Sequence, residues 1–249
     1  MASRKNSQIL GVIPARYASS RFPGKPLHII NGKPLIQHVW ERCLPCSGLD
    51  HVIIATDDKR ILKAARSFGA EAELTKNAHP SGTDRIAEVA RRHPRFSHII
   101  NVQGDEPLIS RRLINRLAQT LSTREDLHMI TAANVISDPK QLKNPNIVKV
   151  VLNNRREALY FSRSIIPFQR SKVPNLTFYR HQGIYGFSRE FLLRFIRWKP
   201  TPLEQSELLE QLRALEHGTP IKVLISPDDS PGVDTPQQAK QISKLLKRS

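Results

Sequence analysis

The stretch HVIIATDDKRILKAARSFG, His51–Gly69, sets two patterns back to back. Its first half is a short apolar run that ends in two acids, the pattern of a buried strand. From Lys59 the apolar residues recur at helical spacing until Gly69 stops them. Upstream, Ile9–Pro14 reads as a strand and Pro34–Leu44 as a helix with Leu35, Val39 and Trp40 on its apolar side. Downstream come a helix over Thr83–His93, a strand in HIINVQGDEP (His98–Pro107) that again ends in acids, a helix over Ser110–Arg124 and a strand in MITAANVI. Strands alternating with helices imply parallel pairing through right-handed crossovers, hence a doubly wound α/β sheet. After about residue 146 the rhythm becomes strand-rich, with IVKVVL, ALYF and HQGIYGF. Helices over Ser188–Trp198 and Leu203–Gly218, a strand over Ile221–Ser226 and a helix over Pro236–Lys247 close the chain. The expectation is one domain with a mostly parallel sheet, a strand-rich insertion and a short flexible N-terminal tail over residues 1–7.

Length and composition agree with that reading. The 249 residues suffice for one sizeable core, and 39% hydrophobic with 24% charged residues is a globular balance. No segment approaches the length of a membrane span, and the first eight residues carry no apolar signal-peptide core. Two cysteines speak against a disulfide scaffold and fit a reducing compartment, so a cytoplasmic location is expected. The net charge of +17 favours acidic partners. The clusters Arg91–Arg92–Arg95 and Arg111–Arg112–Arg116 lack the interleaved aromatics of a single-strand binder, so specific nucleic-acid binding is not expected.

Ligands of such a sheet sit beyond the carboxyl ends of its strands. Those ends carry Arg16, then Asp57 and Asp58, then Asp105: a cationic loop and acids on one rim, as a polyphosphate with a divalent metal requires. The opening loop is neither a Walker loop nor a G-x-G-x-x-G turn, since Gly24-Lys25 precedes Pro26 and no glycine stands five residues before Gly24. It offers side-chain cations instead. Arginine forks onto phosphate oxygens and lysine is a mobile point charge, while Gly24 permits close approach and Pro23 and Pro26 stiffen the loop. A merely solvated basic loop would share this composition.

The segment IPARYASSRFPGKPL resembles the opening signature of the 3-deoxy-manno-octulosonate (Kdo) cytidylyltransferases. The likeness continues in order through SGTDR, NVQGDEPLI, NPNIVKVV, ALYFSRSIIPF, RHQGIYGF, PLEQSELLEQLRALEHG and GVDTP, from Ile9 to the C-terminus. The resemblance implies a Rossmann-like nucleotidyltransferase fold and a homodimer that meets through the strand-rich insertion. The implied reaction is transfer of CMP from CTP to the anomeric hydroxyl of Kdo, with Mg²⁺ and release of pyrophosphate, for lipopolysaccharide synthesis. By it, Arg16, Arg21 and Lys25 would hold the CTP phosphates, and Asp105 and Asp234 the metal. Ser81 and Gln103 would contact CTP. Arg163, Arg170, His181, Tyr185, Glu210 and Gln211 would face Kdo.

Local pattern alone reads some of these residues differently. Asp234, two before Pro236, looks like a helix cap, and Thr83 also suits one. Tyr185 and His181 could be core residues; their spacing puts them on one strand face. Glu106 reads as a structural neighbour of Asp105. The chain also departs from the family pattern: Pro80 stands where glutamine is common, Phe187 where tyrosine is, and the stretch between Arg170 and Tyr179 is short and carries Lys172. A cytidylyltransferase for another acidic sugar, such as a sialic acid, would share the loop and metal logic, but the YFSR and RHQGIYGF blocks favour Kdo. From a different class, Cys43 and Cys46 in CLPC could be a redox pair. They follow a helix C-terminus, where a thiol is not activated, so incidental thiols are the expectation.

Overall fold

The computed structural model describes residues 8–18, 21–171 and 173–247, so the expected tail over residues 1–7 and Lys172 lie outside the described residues. The elements in chain order are β1 (Ile9–Ala15), the short hairpin β2 (Ile29–Ile30) and β3 (Lys33–Pro34), α1 (Leu35–Cys43), β4 (His51–Thr56), α2 (Lys59–Ser67), β5 (Ala72–Leu74) and α3 (Gly82–Arg92). They continue with β6 (His98–Asn101), α4 (Arg111–Thr123), β7 (Met129–Val135), α5 (Pro139–Lys143), β8 (Lys149–Leu152), β9 (Ala158–Ser162) and β10 (Tyr179–Ser188). The last are α6 (Arg189–Phe195), α7 (Pro202–Glu207), α8 (Gln211–Glu216), β11 (Lys222–Ile225) and α9 (Pro236–Leu246).

The sheet runs β11-β7-β10-β6-β1-β4-β5. Strands β6, β1, β4 and β5 are mutually parallel, as the alternating pattern requires. Strand β10 runs antiparallel to both of its neighbours in this order, β6 and β7, and also pairs with β8, which in turn carries β9. The strand-rich segment after residue 146 therefore enters the sheet's middle as well as extending it. From β1 the chain moves outward through β4 to β5, then returns to place β6 on the other side of β1. The crevice between the carboxyl ends of β1 and β6 is thus the topological switch point.

Side-chain alternation along β1 explains the layers. Ile9, Ile13 and Ala15 join a core with Ile36, Val39, Ile61, Leu113 and Leu117, from α1, α2 and α4. Leu10 and Val12 join the opposite core with Ile86, Phe191 and Leu212, from α3, α6 and α8. A strand covered on both faces needs an uninterrupted apolar run, which is what β1 and β4 carry.

Two expectations need correction. The helix expected over Leu203–Gly218 is two helices, α7 and α8, broken where Leu208 takes a left-handed φ of 52°. Strand β9 pins the break: Arg163 donates from Nε to the Glu207 carbonyl at 2.7 Å and from Nη2 to the Leu208 carbonyl at 3.4 Å. Glu207 in return accepts from the Ser162 hydroxyl at 2.5 Å and the Arg163 amide at 2.9 Å. Helical periodicity in the sequence cannot register a distant arginine that satisfies helix-terminal carbonyls. The second correction is Thr83, which does not cap α3. Ser81 does, accepting the amides of Thr83 and Asp84. The two cysteines are free and buried, and burial pushes both thiols up, Cys46 to about 11, so neither is an activated thiolate.

Candidate active site at the switch point

A cleft of about 300 Å³ opens at the switch point. Its walls include Pro14, Ala15 and Arg16 from the end of β1, Arg21, Lys25 and Pro26 from the opening loop, Gln103, Gly104 and Asp105 after β6, and Asp234. Ser81 and Gly82 present the N-terminus of α3 to the same space, where the positive end of the helix favours an anion.

Local chemistry shapes the opening loop. Gly24 sits in the left-handed region at φ 71° and donates its amide to the Tyr17 carbonyl at 2.9 Å, closing the loop on itself. Pro26 then fixes a 3-10 turn over Lys25–Leu27, and this aims Lys25 inward. The guanidinium of Arg60 lies 3.3 Å from the centroid of the Tyr17 ring and holds the loop from outside. Across the crevice, a Cβ on Gly104 would stand 2.6 Å from the Pro14 carbonyl oxygen. Only glycine lets the β6 loop pass so near the end of β1.

Lys25 is the centre of charge. Its Nζ lies 2.6 Å from Asp105 Oδ2 and 3.1 Å from Asp234 Oδ1, while Arg21 Nη2 lies 3.1 Å from Asp234 Oδ2. Two carboxylates from residues far apart in sequence therefore converge on one cation. A backbone bond from the Val233 amide to the Asp105 carbonyl, 2.9 Å, joins the two loops directly. Asp234 is not the helix cap that local pattern favours. Thr235 caps α9 in a reciprocal box with Gln238, leaving the Asp234 carboxylate to the cleft.

The other rim acids are committed elsewhere. Asp57 is paired with the buried Arg85 at 2.6 Å, and Asp58 caps α2 and forks onto Arg60. The donor set for a metal is thus the pair Asp105 and Asp234, oxygen ligands only, facing a cationic phosphate cradle. That fits Mg²⁺, which takes one or two carboxylates and completes its shell with phosphate oxygens and water. Among the described residues, the trio of acidic and imidazole groups close enough to share an ion is Glu71, Glu73 and His93, and none of them lines this cleft.

Gln103 donates to the Gly183 carbonyl at 2.9 Å, which steadies its amide at the cleft wall. Ser81 caps α3 and donates to Asp84 at 2.8 Å. His79 and Arg85 also line the cleft, although neither was picked out in the sequence. Arg85 had a signal, being a charged residue on the apolar side of an otherwise regular helix.

The residues expected to face the sugar do not line this cleft: His181 and Tyr185 lie on β10, Glu210 and Gln211 at the start of α8, and Arg163 and Arg170 follow β9. Thr83 donates its hydroxyl to Glu210, so α8 docks onto the start of α3, and burial raises the Glu210 carboxyl. The His181 ring lies tilted, 5.4 Å from the Tyr185 ring centroid, and edge-on, 4.9 Å from that of Phe161, with Nε2 2.9 Å from the Thr131 hydroxyl. Burial and Arg180 push its ring down to about 3, so it is a neutral imidazole. The ladder of β10 with β7 shifts register between Gln182 and Tyr185, in the stretch that separates the two rings. Gln211 is buried with Nε2 unpaired, and Arg170 is exposed. Arg163, by contrast, spends its guanidinium on the carbonyls of Pro145, Glu207 and Leu208. Phe187, in place of the common tyrosine, lies in an aromatic stack with Tyr185, Phe191 and Phe195.

A family model described as cytidylyltransferase matches residues 10–223. A 3-deoxy-manno-octulosonate cytidylyltransferase of Syntrophobacter fumaroxidans is 48% identical over 242 residues, covering 96% of this chain and 97% of the relative. One from Fusobacterium nucleatum is 44% identical, with 97% and 98% covered. Among solved structures, a CMP:2-keto-3-deoxy-manno-octonic acid synthetase complexed with CTP superposes with a TM-score of 0.93 at 42% identity, over 97% of this chain and 99% of that one.

Proposed function

The chain belongs to the 3-deoxy-manno-octulosonate cytidylyltransferase family, and from that membership and the cleft we propose that it transfers CMP from CTP to the anomeric hydroxyl of Kdo, releasing pyrophosphate. The observation that carries the reading is the convergence of Asp105 and Asp234 on Lys25 inside a cleft walled by Arg16 and Arg21. Arg16, Arg21 and Lys25 bind the triphosphate, and the α3 N-terminus at Ser81–Gly82 adds backbone donors. Ser81 and Gln103 meet the cytidine part. Asp105 and Asp234 hold Mg²⁺, which when bound offsets phosphate charge and polarises the phosphoryl oxygens.

The sugar's anomeric hydroxyl attacks the α-phosphorus in line and gives up its proton to solvent; the bond to the pyrophosphate oxygen breaks, and its electron pair leaves with pyrophosphate. Charge grows on the leaving group, and the cations already aimed there stabilise it without reorganising. On the sugar side, His181, Tyr185 and Glu210 are assigned by the family reading alone. Gln211 has an unpaired donor for a hydroxyl, and Arg170 has its charge free for the Kdo carboxylate. Arg163 serves that side by holding the turn between α7 and α8 rather than through its own charge.

The finer assignments follow the family reading. The product supplies lipopolysaccharide synthesis and the enzyme works in the cytoplasm; no helix among the described residues is long and apolar enough to cross a membrane. A homodimer that meets through the strand-rich insertion is supported by the exposed apolar side chains this segment carries, Leu159, Ile165, Phe168 and Val173. A monomer in sedimentation equilibrium would remove that assignment.

The test of function is pyrophosphate release with each nucleoside triphosphate, with and without Kdo, in Mg²⁺ and in EDTA. Release that needs CTP, Kdo and metal together is the expected result. Activity with a sialic acid in place of Kdo would move the chain to that substrate class.

A further inference from the structure

The segment Ser226–Thr235 leaves β11 and enters α9 without a strand or helix of its own, yet Asp234 lies near its far end. Fixing so many residues costs roughly 1–2 kcal/mol of backbone entropy each, so something must hold them. The far end is anchored by buried Val233, which packs with Ile30, Leu35, Ala239 and Ile242 and donates its amide to Asp105.

The middle is held from outside the cleft by three side chains. Arg180 Nη1, on β10, lies 3.0 Å from Asp229 Oδ1. Gln182, two residues on along the same strand, donates to the Asp228 carbonyl at 2.5 Å. Ser110, the cap of α4, donates its hydroxyl to Asp228 Oδ2 at 2.5 Å. None of the three lines the cleft.

We propose that Arg180, Gln182 and Ser110 are positioning residues that act through Asp228 and Asp229 to set Asp234 against Asp105, and so tune the affinity of the cleft for magnesium and CTP. The inference rests on the metal role given above to Asp105 and Asp234. Its physical basis is tolerance. A site that orients two carboxylates on one small cation needs them placed to within about 0.5 Å, and a segment without its own secondary structure reaches that only if braced. Without Arg180, the acids at 228, 229 and 234 repel one another along one short segment. Slack released at residues 228 and 229 then reaches Asp234 as a shift of Val233 against Asp105, because Thr235 on the other side is fixed to α9.

The experiment compares the wild type with Arg180→Ala, Asp229→Asn, Gln182→Leu and the charge exchange Arg180→Asp/Asp229→Arg. Asp229 is half exposed, so its asparagine variant folds even if a change at Arg180 does not. Two readouts are used besides turnover: binding of CTP with Mg²⁺ by calorimetry, and amide hydrogen exchange of residues 226–234 in the free protein. The expected result is a loss of magnesium–CTP affinity of about 3- to 30-fold in the single variants, with kcat changed less than KM for Mg²⁺. Exchange at residues 226–234 rises, and the charge exchange restores much of both. Variants that bind magnesium and CTP as the wild type does, or an exchange that restores nothing, overturn the brace. A wild type that binds CTP without any response to Mg²⁺ overturns the metal role itself, and the brace with it.

Discussion

Asp105→Asn and Asp234→Asn each lower pyrophosphate release by about a thousandfold or more while the protein stays folded. Asparagine keeps the shape and one acceptor oxygen but removes the charge that holds a divalent cation against a triphosphate. On the proposed metal role the two aspartates have no substitute among the rim acids of the described residues, because Asp57 is taken by Arg85 and Asp58 by α2 and Arg60. Stability changes far less. Each variant loses a partly exposed ion pair to Lys25, and the other aspartate remains to neutralise that ammonium. Rates at saturating substrate and melting by circular dichroism check the two halves. A folded variant with near-normal turnover would take its aspartate out of the metal role.

Lys25→Met lowers kcat/KM for CTP by about 100- to 1,000-fold and shifts KM for Kdo by less than about threefold. In the free protein the Lys25 ammonium occupies the point between Asp105 and Asp234. On the proposed metal role, a metal ion held by the two aspartates would displace it by like-charge repulsion, and its flexible stem would let the ammonium reach the phosphates. Lysine is thus a placeholder in one state and a phosphate ligand in the other. The same variant should therefore bind Mn²⁺ more tightly than the wild type when CTP is absent, because the competing cation is gone. Electron paramagnetic titration measures that directly. Unchanged CTP dependence would contradict the cradle, and unchanged Mn²⁺ affinity would contradict the placeholder.

Much of the scaffold was legible beforehand because its signals are local. The strands β1, β4 and β6 are short apolar runs, and α2, α3 and α4 carry helical periodicity, so α/β alternation was readable and with it the rim where a ligand sits. The opening loop's cations followed from composition. What periodicity could not register were contacts across the fold. The break between α7 and α8 depends on Arg163 reaching over from the end of β9. The role of Asp234 depends on Thr235 taking the cap, a choice between adjacent residues that both suit it. Arg163 itself, matched to the sugar side by resemblance, turned out to bond backbone carbonyls.

The sequence by itself determined the class of fold and the cationic loop after the first strand, since apolar spacing and local composition are properties of the chain as a line, whereas Asp105 and Asp234 were singled out only by resemblance. Only the tertiary structure decided which acids remain available. Asp57, Asp58, Asp105 and Asp234 are equivalent carboxylates on paper, and an ion pair or a cap forms or fails according to what the fold carries within about 3 Å of each.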